Sequence, residues 1–281
     1  MERHADIVGF GRIGEALAVS LTRAGWTTRA WSPSLRGRAT AAGALVEGPR
    51  PEDFPSAPVV FLAVSDAAVA EVAANLPVRP GQVVAHLSGA LGLDALAPAA
   101  ERGAEVGSLH PLVAVPSGQD GLPPCFAAVE GSPRARAVLE GIARALGLRP
   151  FSLPPEGRAA YHAAASLAAN GLVALESLAV RILASLGLRR DEALAALLPL
   201  VRSAVDGLER RGLPGALTGP VARGDASTVR RHLDALAESD ALATYRALFV
   251  EALRLARELG EADPARLDAI AEILAVPDDQ R

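Results

Sequence analysis

The sequence contains no lysine, so all 28 of its basic residues are arginine. That absence rules out a Schiff base, a lysine general acid and a P-loop lysine. With one cysteine, Cys125, neither an intramolecular disulfide nor a multi-cysteine metal site can form. Aromatic residues make up only 4 % of a chain that is 50 % hydrophobic, so its cores are expected to be built from Ala, Leu and Val. The net charge of −4 is spread over interspersed acids and bases, with no basic block to attract nucleic acid. No HxH, HExxH or acid-rich spacing offers a metal site.

What is present suits two modest domains in 281 residues. The N-terminus enters a strand almost at once, leaving no room for a signal peptide, and a cytoplasmic protein is expected. The most apolar stretch, about 159–180, contains Tyr161, His162, Asn170 and Glu176. A membrane span excludes such residues, so the stretch reads as a buried helix with no membrane partner.

The first half alternates short apolar runs with helical stretches. Strands are expected at Ala5–Phe10, Thr27–Trp31, Val59–Val64, Gln82–Leu87, Glu105–Leu109, Phe126–Glu130 and Arg149–Leu153, with helices such as Ile13–Ala24, Ala67–Asn75 and Arg134–Leu146 between them. Such alternation implies right-handed crossovers and a doubly wound, mostly parallel α/β sheet. Beyond Leu153-Pro154-Pro155 only helix periodicity remains. Residues 1–153 are therefore expected to form a Rossmann domain, and 154–281 an all-α domain.

Gly9-Phe10-Gly11-Arg12-Ile13-Gly14 follows the first strand and opens the first helix. Gly9 suits the tight turn, Gly11 the approach of backbone to a pyrophosphate, and Gly14 close helix–strand packing. The helix N-terminus presents free N–H groups to the phosphates. At the end of the second strand an NAD site usually carries an acid. Here the chain reads Trp31-Ser32-Pro33-Ser34-Leu35-Arg36-Gly37-Arg38, so Ser32, Ser34 and Arg36 would meet a 2′-phosphate and NADP(H) is the expected cofactor. Val64-Ser65-Asp66 forms another cofactor-side turn, where Asp66 is chiefly an N-cap for the helix from Ala67.

Polar residues gather at strand ends and on one later helix. His86-Leu87-Ser88-Gly89-Ala90 and Ser108-Leu109-His110-Pro111 each end a strand; His162, Ser166 and Asn170 fall at i, i+4 and i+8 of one helix, on one face. A loop, Ala216-Leu217-Thr218-Gly219-Pro220-Val221-Ala222-Arg223-Gly224-Asp225, completes the set. Strand carboxyl ends face one crevice in a doubly wound sheet, and convergence there suggests a site. Individually, a strand-end histidine can be structural, Ser88 a turn residue and Asp225 a helix cap.

The motifs HLSGA, SLHP, YHAAASLAAN and ALTGPVARGD resemble, over essentially the whole chain, a bacterial family with a Rossmann-like domain and a C-terminal domain of unknown function. That family is similar to pyrroline-5-carboxylate reductases, β-hydroxyacid dehydrogenases and prephenate dehydrogenases. The resemblance implies an NADP-linked reductase or dehydrogenase, homodimeric through its helical domain. β-Hydroxyacid dehydrogenases place a catalytic lysine four residues before an asparagine; Asn170 matches the asparagine, but the lysine position is Ser166. Prephenate dehydrogenases place a His-Pro after the sixth strand and a serine after the fifth, which His110-Pro111 and Ser88 match.

The resulting expectation is hydride transfer to or from a small carbonyl, alcohol or imine. His110 would be the acid/base, with a pKa near neutrality. Ser88 and Asn170 would orient the reacting atom. His162, Ser166, Thr218, Arg223, Asp225 and His86 would bind substrate. The alternative is a non-catalytic NADP(H)-binding regulatory or partner-binding protein, which the missing lysine favours.

Overall fold

The structure, a computed structural model, describes residues 3–33, 44–46, 50–116 and 120–275. It divides into two compact units, Met1–Ala169 and Asn170–Arg281.

The first unit is built on strands β1 (His4–Val8), β2 (Thr27–Trp31), β3 (Ala44–Val46), β4 (Val59–Leu62), β5 (Val83–His86), β6 (Glu105–Pro111), β7 (Phe126–Gly131) and β8 (Arg149–Phe151). They form one sheet in the order β3-β2-β1-β4-β5-β6-β7-β8. Every neighbouring pair is parallel except β6–β7. β4 and β5 are buried at every position, as continuous apolar runs between two helix layers must be.

Helices α1 (Arg12–Arg23), α2 (Asp66–Asn75), α3 (Ala97–Ala100, preceded by a 3₁₀ turn at Leu93–Leu96), α4 (Pro133–Ala145) and α5 (Arg158–Ser166) complete the unit. One core joins Leu17 of α1 and Leu139 of α4 to Ile7, Phe61 and Leu109 of the sheet. A second, on the opposite face, joins Val69 of α2 and Leu96 to Val8, Val60 and Leu62. Helices thus cover both faces, and the strand order reverses between β1 and β4, where the carboxyl ends of a doubly wound sheet open a crevice.

The second unit is all-helical among its described residues: α6 (Leu172–Ser185), α7 (Arg190–Gly215, broken at Gly212), α8 (Ala226–Ala235), α9 (Ala241–Leu259) and α10 (Pro264–Leu274). Its core unites Val229 and Leu233 of α8 with Leu253 of α9 and Leu267 and Ile270 of α10.

Two features depart from expectation. The short strand β3 and the turn-plus-helix at 93–100 lack a sequence pattern long enough to announce them. Helix α5 groups by contact with the sheet unit, to which Arg158 ties it (below). Finally, the apolar helical stretch Arg158–Ser185 is not buried. Its most apolar window has a mean hydropathy of 1.6, yet only 6 % of that window is covered. Leu167 and Val173 are 75 % and 70 % exposed. By length and composition alone it is the one helix among the described residues that could cross a membrane.

Candidate active site

The glycine turn does what its spacing requires. Gly9 adopts φ +94°, donates to Trp31 O at 2.8 Å, and would place a β-carbon 2.5 Å from Ala63 O. No other residue fits there. A β-carbon on Gly14 would lie 2.6 Å from Gly9 O, so α1 can approach β1 only with glycine at this point. Gly11, the N-cap of α1, is different: a β-carbon there would meet nothing within 4 Å. Packing does not require that glycine. The open space beside it, at a helix N-terminus whose cap supplies no side-chain acceptor, is what a dinucleotide pyrophosphate needs.

Arg12 is exposed and Ile13 half-buried at the start of α1, whereas the Phe10 side chain packs in the core and leaves only its backbone to the turn. Val64, Ser65 and Asp66 form the β4–α2 turn across from Gly9, whose β-carbon position is 2.9 Å from Val64. Asp66 is not the N-cap. It lies within the first turn of α2, and the cap residue Ser65 makes no side-chain bond. Ser32 is buried just past β2, while Ser34, Arg36 and Arg38 lie outside the described residues.

Further along the same sheet edge, the register aligns Val8, Leu62, His86 and Ser108 across β1, β4, β5 and β6. His110 sits two residues past that row. Three groups from α5 and the loop after β5 close around it. Its Nδ1 lies 2.6 Å from Tyr161 Oη, with the rings edge-on at 88°. A β-carbon on Gly89 would fall 2.7 Å from both Nε2 and Cε1 of His110 and 3.0 Å from His162 Cδ2. Glycine at 89 therefore lets both histidines come up to the backbone. Ser88 Oγ accepts from the amides of Ala90 and Leu91 at 3.1 and 3.0 Å, leaving its own proton to donate.

Beneath this cluster lies Arg158, 5 % exposed. Its guanidinium donates to Ser88 O at 3.0 Å and Ser108 Oγ at 2.5 Å, and pairs with Glu130 Oε2 at 2.8 Å. One cation thus ties the ends of β5, β6 and β7 to the first turn of α5. Burial, with help from this charge, keeps two nearby imidazoles neutral. Burial, His162 and then Arg158 push His110 down to about 4. Burial followed by Arg158 lowers His86. A pKa near neutrality for His110 is accordingly corrected: the ring is uncharged at neutral pH.

His86 is also corrected as a substrate ligand. It is 0 % exposed, its Nε2 lies 3.2 Å from Gly92 O, and its Nδ1 accepts from Ser88 N at 3.2 Å. Both nitrogens serve the turn that carries Ser88 and Gly89.

In the helical unit, Asp225 caps α8. Its carboxylate accepts from Thr228 N at 3.0 Å, Thr228 Oγ1 at 2.7 Å and Ser227 Oγ at 2.8 Å, which lowers its pKa to about 2. It is a structural residue. Thr218 and Arg223 are exposed on the loop before it. Asn170, likewise exposed, does not continue the helical repeat of His162 and Ser166, because Leu167–Gly171 is a π-helical turn that breaks the phase.

Sequence reasoning missed Gly89, Glu130, Arg158 and Tyr161. A glutamate closing the apolar run Phe126–Glu130 was a usable signal for a buried partner.

Residues 3–111 match the Rossmann-like domain family, and residues 125–251 match DUF2520, a domain of unknown function. The chain matches no curated protein by sequence. Among solved structures, a Thermotoga maritima protein superposes with a TM-score of 0.71 at 24 % identity, covering 92 % of this chain and 100 % of its own. A Bacteroides fragilis protein described as an NADP oxidoreductase gives 0.65 at 20 % identity, over 90 % of this chain and 98 % of its own. Plasmodium falciparum pyrroline carboxylate reductase, solved with NADP bound, gives 0.61 at 12 % identity, over 98 % of this chain and 100 % of its own. At these identities the likeness is one of fold. The two matched segments follow one another along the chain, a Rossmann-like one and then a DUF2520 one.

Proposed function

We propose that this protein is an NADP(H)-dependent oxidoreductase acting on a small carbonyl, alcohol or imine. The observation that carries the reading is the placement of two features on one sheet edge. The open glycine cradle at Gly11 and the His110 cluster both lie at the carboxyl ends of the same parallel strands. The amides opening α1 would hold the pyrophosphate, with Gly9–Gly14 and the Val64–Asp66 turn lining it. Ser32, with Ser34 and Arg36 after it, replaces the acid of an NAD site and favours the 2′-phosphate. The nicotinamide supplies hydride chemistry when bound.

His110 exchanges the substrate's proton at Nε2, and the Ser88 hydroxyl orients the reacting oxygen or nitrogen. His162 and Ser166 of α5 would bind the substrate's polar groups. The NADP in the names of two structural neighbours agrees with this assignment.

Calorimetric titration with NADPH and NADH comes first, followed by NADPH oxidation with a panel of carbonyls and imines. The reading expects micromolar NADPH, much weaker NADH, and turnover lost in His110→Ala with nucleotide binding retained. Binding without turnover on any substrate class would make the protein a nucleotide-binding regulator. No binding would overturn the reading altogether.

We infer further that the helical unit pairs with a second copy of this chain. A groove of about 520 Å³ between α6 and α7 is lined by Leu172, Val173, Val180, Leu194, Leu198 and Val201. Arg190, Asp191 and Glu176 also line it, so one patch carries both charge signs and can complement itself across a two-fold axis.

A further inference from the structure

We propose that Tyr161 and His110 form a proton relay, in which Tyr161 Oη supplies Nδ1 and thereby fixes Nε2 as the N–H that faces substrate. This deepens the oxidoreductase reading, and its catalytic meaning rests on that reading; the tautomer it assigns does not.

The geometry starts with the 2.6 Å contact between Tyr161 Oη and His110 Nδ1. Neither ring is free to swing away. Tyr161 packs edge-on against Phe151, centroids 5.9 Å apart, and Phe151 in turn against Phe126 at 6.2 Å. One turn before Tyr161, Arg158 pins α5 to the strand ends through Ser88, Ser108 and Glu130. On the other edge of the imidazole, Nε2 lies against the backbone of Gly89 and has no hydrogen-bond partner among the described contacts.

The direction of the hydrogen bond follows from the two groups. Burial raises the Tyr161 phenol to about 12, so it keeps its proton and can donate throughout the neutral range. A reversed bond, with Nδ1–H donating to Oη, would leave the phenol proton without an acceptor among the described residues. A neutral ring that accepts at Nδ1 carries its one proton at Nε2. The surroundings keep that ring neutral. Burial is the main reason; His162 and Arg158 of α5 and His86 of β5 also oppose a second proton, and Asp66 of α2 favours it. Glu130 of β7, the other carboxylate nearby, is paired with Arg158.

A neutral imidazole is a weak acid by itself, and the relay remedies this. In the reducing direction the Nε2–H bond breaks as its proton passes to the substrate oxygen or nitrogen that has gained hydride. The Tyr161 O–H proton moves to Nδ1, so the ring never bears a negative charge. After product leaves, water returns a proton to Nε2 and Nδ1 returns its proton to the phenolate. The net donor is water. Oxidation of an alcohol runs the same transfers backwards. Tyr161 is thus a positioning residue that acts through His110.

The test is long-range ¹H–¹⁵N correlation of the histidine ring nitrogens in ¹⁵N-labelled whole protein, wild type and Tyr161→Phe, with NADPH calorimetry on both. Wild-type His110 is expected to remain neutral and Nε2-protonated from about pH 5 to about pH 8, whereas an ordinary histidine titrates midway. Tyr161→Phe should convert it to a mixture of tautomers, leave NADPH affinity within about twofold, and lower turnover by roughly 10- to 100-fold. Wild-type His110 protonated at Nδ1, or a tautomer indifferent to Tyr161→Phe, would overturn the relay. Failure of NADPH to bind would instead strike the oxidoreductase reading, while the tautomer spectrum still decides the hydrogen bond.

Discussion

His86 and His110 end neighbouring strands, and in sequence nothing separates them. In the structure their surroundings differ. Both ring nitrogens of His86 are spent on the Ser88–Gly92 backbone, whereas His110 uses one on Tyr161 and has no partner for the other among the described contacts. Both are held neutral, and that has a consequence for stability. A histidine whose pKa falls on folding binds its proton less readily in the folded chain. Between about 4 and the unperturbed 6.5 the unfolded state therefore takes up more protons, and stability rises with pH. The contribution is complete above 6.5 and is lost as pH falls through that window. The urea midpoint is expected to drop from pH 7 to about pH 4.5, and His110→Gln should flatten the drop. An unchanged pH dependence in that variant would remove His110 from the cause. At this scale His110, Ser88 and His162 could be read from the sequence because each stands in a polar motif on an Ala/Leu-rich chain. Gly89 could not, since its role is space for two side chains that arrive from Ser108–Pro111 and from α5.

Helix α5 is the element on which the site depends. The period-two and period-3.6 patterns show the strands and helices of the sheet unit directly, but they do not show which unit α5 joins. The Leu-Pro-Pro break marks a change of composition, and by contact α5 groups with the residues before it. What fastens α5 is a single buried arginine whose partners come from three strands far upstream, and no local pattern carries that information. The energetics make the role testable. Removing one partner of a buried ion pair strands the other in low dielectric, at a cost of about 3–5 kcal/mol. Arg158→Met should lower stability by that order in urea unfolding. Arg158→Met with Glu130→Leu should recover much of it, because a buried pair replaced by apolar side chains is often close to neutral. If the double variant is no better than the single, the loss comes from the bonds to Ser88 and Ser108 rather than from an unpaired glutamate. The π turn Leu167–Gly171 was similarly invisible in sequence: an i, i+4, i+8 pattern assumes an unbroken α-helical phase.

Across the whole chain the two units differ in how completely they bury their apolar residues. The sheet unit closes a core on each face, while the helical unit leaves Val173 at 70 %, Leu200 at 68 % and Leu194 at 42 % exposed. Apolar faces of that kind mark an association surface. The proposed occupant is a second copy, since the groove is lined by apolar side chains together with an arginine and two carboxylates, and an isologous interface complements itself. The wild-type chain is expected to scatter light at twice its 28.8 kDa mass at micromolar concentration. A glutamate placed on the groove, in Val173→Glu or Leu198→Glu, should shift it to the single mass, because desolvating a carboxylate against leucine is far more costly than exposing it to water. Helical circular dichroism unchanged in those variants would separate loss of pairing from loss of fold. A wild-type protein that stays monomeric would refute the pairing. If that monomer also bound phospholipid vesicles, and Val173→Glu abolished binding, the face formed by 158–185 would belong to a lipid surface, which its length and composition also permit.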